Sequence, residues 1–120
     1  MTYQDMKNAL QMTDDAAMRL EMVMDFGRDM AVLPADAECH DISGCSSFVQ
    51  ICRRGNSFYG RADSALVRGI VAIIIAMVDG KTPSEIKSMN IRGAFDELNL
   101  SLGAGRMNGV NSMVSFLENL

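Results

Sequence analysis

The chain has 120 residues, which fits one domain over residues 1–120, and its 48% hydrophobic and 22% charged content is that of an ordinary globular protein. A formal net charge of −4 argues against a nucleic-acid surface built on phosphate neutralisation. Three cysteines, an odd number, make no disulfide framework, and without a basic-then-apolar leader at the start the sequence predicts a cytoplasmic protein with reduced thiols.

The first helix is predicted to open near Thr13-Asp14-Asp15, whose side chains can cap free backbone N–H groups. Met18, Met22 and Phe26 follow at i, i+4 and i+8, with Leu20, Val23 and Met24 widening the stripe into one core face. Leu33-Pro34 ends this helix at the latest. From Cys39 onward the pattern turns strand-like. A short edge strand is expected through His40–Ser43, a main strand through Ser47–Cys52, turn residues at Arg53–Asn56, and a return strand from Ser57. In the main strand Val49 and Ile51 face one side, and Phe48, Gln50 and Cys52 the other.

The next helix is predicted to open at the capping pair Asp63-Ser64 and to run to Val78. Past Gly69 it is apolar all round, the mark of a buried central helix. Its apolar run, Ile70–Val78, is far below the roughly 18–20 residues that cross a bilayer. Thr82-Pro83-Ser84-Glu85 reads as an N-cap, a proline at the first helical position and the partner of a capping box. Short helices are expected at about 84–89 and 91–98, and Gly103, Gly105 and Gly109 break up the next stretch. A last helix, about 106–119, places Val110, Met113, Val114 and Leu117 at helical spacing. Helix, small sheet, several helices: the order is that of an α+β domain, with about three antiparallel strands packed on a buried central helix.

Chemistry centres on Cys45. Gly44, Ser46 and Ser47 give it little bulk to hide behind and suggest a tight turn. A thiol held at a turn can act as a nucleophile through its thiolate; the same thiol could equally be a half-buried spectator. Cys52, in a strand, suits a packing role, and Cys39 reads as incidental. His40 with Cys39, Cys45 and Cys52 invites a metal reading, but the spacings are not the paired Cys-x2–4-Cys of structural zinc sites. A Cys45–His40 hydrolase lacks a visible orienting group. Asp63 reads as the cap of the central helix, Arg106 and Asn108 as the start of the last helix, and Arg53-Arg54 as a solvated hairpin tip.

Four segments, in order, resemble the SufE family of sulfur acceptors: Ile42–Val49 around the cysteine, Ala62–Ile70 ahead of the apolar helix, Gly80–Ile86, and Gly105–Met113. The likeness covers most of the chain from about Met18. Departures stand at Ser46, where the family often has Gln, at Gln50, often aromatic, at Arg61, often acidic, and at Gly105, commonly Ser. The resemblance implies a SufE/IscU-like fold and a chain that takes persulfide sulfur from a cysteine desulfurase (SufS- or CsdA-like) onto Cys45. It further implies stimulation of that enzyme and delivery of sulfur to an Fe–S scaffold or other acceptor. It implies supporting or partner-facing roles for Gly44, Ser46, Asp63, Arg106 and Asn108, with the Arg106 guanidinium favouring the thiolate. No cofactor of its own is implied, since the desulfurase carries the pyridoxal phosphate, and neither are nucleic acid, membrane or metal; the chain would be a monomer or weak homodimer. The alternative is an Fe–S scaffold or metal module using Cys39, Cys45 and Cys52.

Overall fold

The computed structural model describes residues 1–120. Helix α1 (Tyr3–Gln11) lies in a stretch where the sequence reading places no element. Thr2 caps it through a reciprocal box: its hydroxyl accepts from Asp5 N–H at 3.1 Å, and the Asp5 carboxylate accepts from Thr2 N–H at 3.1 Å. Only Met6 and Leu10, one turn apart, are buried, so the apolar stripe is too thin to announce the helix.

Helix α2 (Ala16–Arg28) opens at Asp15, whose carboxylate accepts from Met18 N–H at 3.0 Å. Its buried face is Val23, Phe26 and Gly27. Met18 is 56% exposed, and Met22 is only half-buried, which corrects the expected Met18–Met22–Phe26 stripe. The reason is a backbone contact with helix α3 (Ala65–Val78). A Cβ on Gly69 would lie 1.9 Å from the Val23 carbonyl oxygen, and one on Gly27 would lie 2.7 Å from Gly69 N. The two helices meet where neither has a side chain, and that contact sets the rotation of α2.

Strands β1 (Glu38–Asp41), β2 (Val49–Arg54) and β3 (Ser57–Ala62) form one antiparallel sheet in the order β1-β2-β3. The β2–β3 hairpin turns on two residues, Gly55 and Asn56, with Gly55 at φ 61°. β1 lies two residues earlier than the expected His40–Ser43 and β2 two residues later than the expected Ser47–Cys52, with Cys39 opposite Cys52 and His40 opposite Ile51. Cys39 and Cys52 are joined by a disulfide. This corrects the expectation of reduced thiols, of an incidental Cys39 and of a merely packing Cys52: cross-strand pairing brings together two thiols whose separation in sequence gives no hint of it.

α3 is the buried helix expected, with nine residues from Gly69 to Val78 inside the core. Its N-cap is Ser64, whose hydroxyl accepts from Val67 N–H at 3.4 Å, and not Asp63. Asp63 instead continues the sheet, its N–H donating to the Phe48 carbonyl at 3.4 Å. Gly80, at φ 82°, ends the helix, and the Asp79 carboxylate accepts from Phe58 N–H at 3.0 Å. Helices α4 (Pro83–Lys87) and α5 (Ile91–Asp96) follow, the first with the predicted Thr82–Glu85 capping box. Helix α6 (Ala104–Glu118) buries Val110, Met113, Val114 and Leu117 as expected. It starts two residues earlier than predicted and holds Gly105 and Gly109 inside it; only Gly103, at φ 83°, stands outside as a break.

The Gly69 contact carries a direct test. Gly69→Ala forces a methyl onto backbone that cannot yield by a side-chain rotation, so it is expected to destabilise the fold by ~3 kcal/mol, the upper range for overpacking. Chemical denaturation of the variant against the parent measures this.

Candidate functional site

Residues 42–48 connect β1 to β2 and carry Cys45. The base of this loop is closed by Ile42 N–H donating to the Val49 carbonyl at 2.9 Å, with the Ile42 side chain buried below. Gly44 sits at φ 87°, and a Cβ there would also fall 2.5 Å from the Ser112 hydroxyl of α6. Glycine is therefore required twice over, by backbone conformation and by the closeness of α6.

The turn at Gly44 directs Cys45 toward α6. Its Sγ lies 3.9 Å from the Gly109 carbonyl oxygen, a weak thiol contact, and is the chain's one free cysteine. Gly109 leaves the room for it: a Cβ at that position would stand 3.3 Å from the sulfur. Around the thiol is a cavity of about 20 Å³, floored by Val67, Ile70 and Met113 and rimmed by Ser46, Gly105 and Arg106. Burial pushes the Cys45 thiol up from its ordinary value, with no opposing contribution from a nearby cation. The expected lowering by Arg106 is not seen: the guanidinium turns back to donate to the Leu102 carbonyl at 3.2 Å. At neutral pH Cys45 rests as a thiol.

The residues singled out from sequence divide clearly. Ser46 and Arg106 line the Cys45 cavity, and Gly44 makes the turn before it. Asp63 is exposed and is tied to the cysteine loop only through its backbone bond to Phe48. Asn108 is exposed on α6 and takes no part in the cavity; its carbonyl accepts from the Ser112 hydroxyl at 3.1 Å. Gly109, Ser112 and Val67 also shape the site; all three lie inside the segments that carry the family resemblance, but none stands out there, and Gly109 is expected to break the chain rather than make room for a thiol. His40 packs its ring 5.4 Å from that of Phe116 and faces Glu38 at 3.4 Å, with no hydrogen bond to Cys45, so no Cys–His pair is assembled. Nor do Cys39, Cys45 and Cys52 form a metal cluster: two are bonded to each other, and no group of three metal-ligating side chains occurs. No helix is long and apolar enough to cross a membrane.

Residues 4–120 match the SufE family, described as an Fe-S metabolism associated domain. Among curated relatives, the sulfur acceptor protein CsdE of Escherichia coli is 31% identical over 96 residues, spanning 72% of this chain and 65% of that protein, a little under two thirds of its length. An uncharacterized SufE-like protein of Rhizobium etli is 31% identical over 113 residues, covering 84% of this chain and 76% of its own. In overall fold the chain is similar to a hypothetical protein from Thermus thermophilus solved in solution, with a TM-score of 0.68 at 16% identity, covering 99% of this chain and 94% of that one.

Thiol chemistry checks the site directly. In denaturant without reductant, thiol titration is expected to count one cysteine, rising to three after reduction. In the folded protein, alkylation of Cys45 by iodoacetamide at pH 7 is expected to be slower than that of free cysteine. Its rate-against-pH midpoint should lie above that of an ordinary thiol, because burial favours the neutral form.

Proposed function

The chain belongs to the SufE family, and on that premise we propose that it is a sulfur carrier whose Cys45 accepts persulfide sulfur from a cysteine desulfurase. The observation that carries this reading is the placement of the chain's one free thiol, at the tip of a loop and over a cavity of about 20 Å³. That volume is about what one water-sized atom needs, which suits a terminal sulfur drawn in beside Val67, Ile70 and Met113. In the transfer, the Cys45 thiolate attacks the outer sulfur of the desulfurase persulfide. A new S–S bond forms on Cys45, the donor's S–S bond breaks, and the donor cysteine leaves as a thiolate that takes up a proton.

The raised Cys45 pKa fits a carrier better than a self-sufficient enzyme. A resting thiol without a base or cation to ionise it is slow to react with stray electrophiles. Docking, which moves the loop from its apolar floor, supplies the change of surroundings in which the thiolate forms. Loading stimulates the desulfurase by clearing its persulfide, and the sulfur then passes to an iron–sulfur scaffold or other acceptor. The carrier itself needs no cofactor in this scheme; the pyridoxal phosphate belongs to a SufS- or CsdA-like partner, and the cytoplasm is where they meet. Asp63 and Arg106, both exposed, are the side chains we assign to contact with that partner.

Incubation with cysteine and each cysteine desulfurase of the source genome, followed by mass spectrometry, tests this. At least one enzyme is expected to add the mass of one sulfur atom to Cys45, and reductant to remove it. Cys45→Ser is expected to abolish the gain while keeping the native far-UV spectrum, and Cys52→Ala to retain it. Sulfur mapping to any residue other than Cys45 would sink the assignment.

A further inference from the structure

Beside the thiol pocket lies a second, separate feature. An open groove of about 350 Å³ runs between the C-terminal end of α2, the outer edge of β3 and the first turns of α3. Arg28, Arg61 and Arg68 line it, and no carboxylate does. In a chain with 15 acidic and 11 basic residues, three guanidinium groups converging on one groove stand against the overall charge. Arg28 is matched by Asp25. Arg68 donates through Nε and Nη2 to the Ala62 carbonyl at 3.4 and 3.3 Å, which leaves its charge without an ionic partner. The Arg61 side chain is exposed and makes neither a hydrogen bond nor an ion pair within the chain. The groove thus presents about two positive charges without ionic partners, and the free fork of Arg61 is the geometry that takes a carboxylate two bonds at a time.

Its position ties it to Cys45. Val67 floors the thiol pocket, and Arg68, the next residue, lines the groove. The end of β3 is joined to the cysteine loop by the Asp63–Phe48 backbone bond. Pocket and groove are therefore lined by neighbouring residues of the first turns of α3. A protein–protein interface of ordinary size buries about 800 Å² per partner, a disc of roughly 16 Å radius. Val67 and Arg68 are consecutive, about 3.8 Å apart at Cα, which puts the near edge of the groove within that footprint of a protein docked over Cys45.

We infer that the Arg28–Arg61–Arg68 groove receives an acidic segment of the cysteine desulfurase and sets which desulfurase this carrier engages. The inference rests on the carrier reading given above. Arg61 is its most informative member, because nothing in the fold depends on it.

The test uses the desulfurase that loads Cys45 in the mass-spectrometric experiment, and compares Arg61→Glu and Arg61→Lys with the parent. The readout is the carrier concentration that half-saturates stimulation. At low salt Arg61→Glu is expected to raise it roughly tenfold, and Arg61→Lys to leave it near the parent value. The difference should shrink as added salt shortens the screening length to a few ångströms. Reaction of Cys45 with inorganic polysulfide, which needs no partner, serves as the control and is expected to be equal in all three proteins. An unchanged half-saturation for Arg61→Glu would overturn the groove's role and leave the carrier reading standing. A loss that persists at high salt or extends to polysulfide would also overturn it, by showing a defect in the fold. Thermal protection of the parent, but not of Arg61→Glu, by inorganic phosphate at fixed ionic strength would assign the groove to a small free anion instead. If no desulfurase loads Cys45 at all, the carrier reading falls and this inference falls with it.

Discussion

From Gly69 to Val78, α3 has no polar face, and the remaining structure is arranged to cover it. A buried Ile or Val side chain contributes about 1.5–3 kcal/mol relative to exposure. A helix with apolar residues on every side can collect this only if it is enclosed. α2 closes one side along the Gly27–Gly69 seam, and β3 lies along another, with Gly60 accommodating Val71 and Ile75. α1 caps a third with Met6 and Leu10, and the C-terminal helices complete the enclosure through Ile91, Phe95, Val110 and Leu117.

The thiol site is an outcome of that enclosure. The first turns of α3 still carry Leu66, Val67 and Arg68, half-buried, at the rim of the core. The cysteine loop and the start of α6 meet there, so Cys45 rests on the margin of the core rather than in it. This position explains both of its properties: enough apolar contact to hold the sulfur as a neutral thiol, and no base or fixed cation to activate it. Two glycines govern the fit, Gly44 by its turn and Gly109 by the space it leaves. The disulfide between Cys39 and Cys52 removes the other two sulfurs from competition.

Where local chemistry decides the structure, it was legible in the sequence. Thr82 and Glu85 cap each other as their spacing requires, the α3 run is buried, and Val110, Met113, Val114 and Leu117 share one face. Cys45 stood out because its glycine and serine neighbours offer little bulk to bury a thiol, yet α3 and α6, distant in sequence, half-bury it. What escaped reading depends on tertiary partners. Asp63 and Ser64 are equal capping candidates until the sheet takes up the Asp63 N–H. Met18 belongs to a plausible stripe until a glycine contact rotates α2 away from it. Cys39 and Cys52 look unrelated until the strand register sets them side by side. Gly109 reads as a break in the chain until it is found inside α6 with a sulfur atom against it.

The closed base of the cysteine loop has a mechanical consequence. With Ile42 bonded to Val49, and Cys39 covalently joined to Cys52 behind them, the loop is a short ring hung from the end of the sheet. Cys45 stands three residues from one anchor and four from the other. A fully extended chain spans at most about 3.3–3.6 Å per residue, so the sulfur-bearing residue can travel roughly 10 Å from the sheet and no farther. The ring is a leash of known length. It defines how deep a recess this thiol can enter while β1 and β2 stay paired.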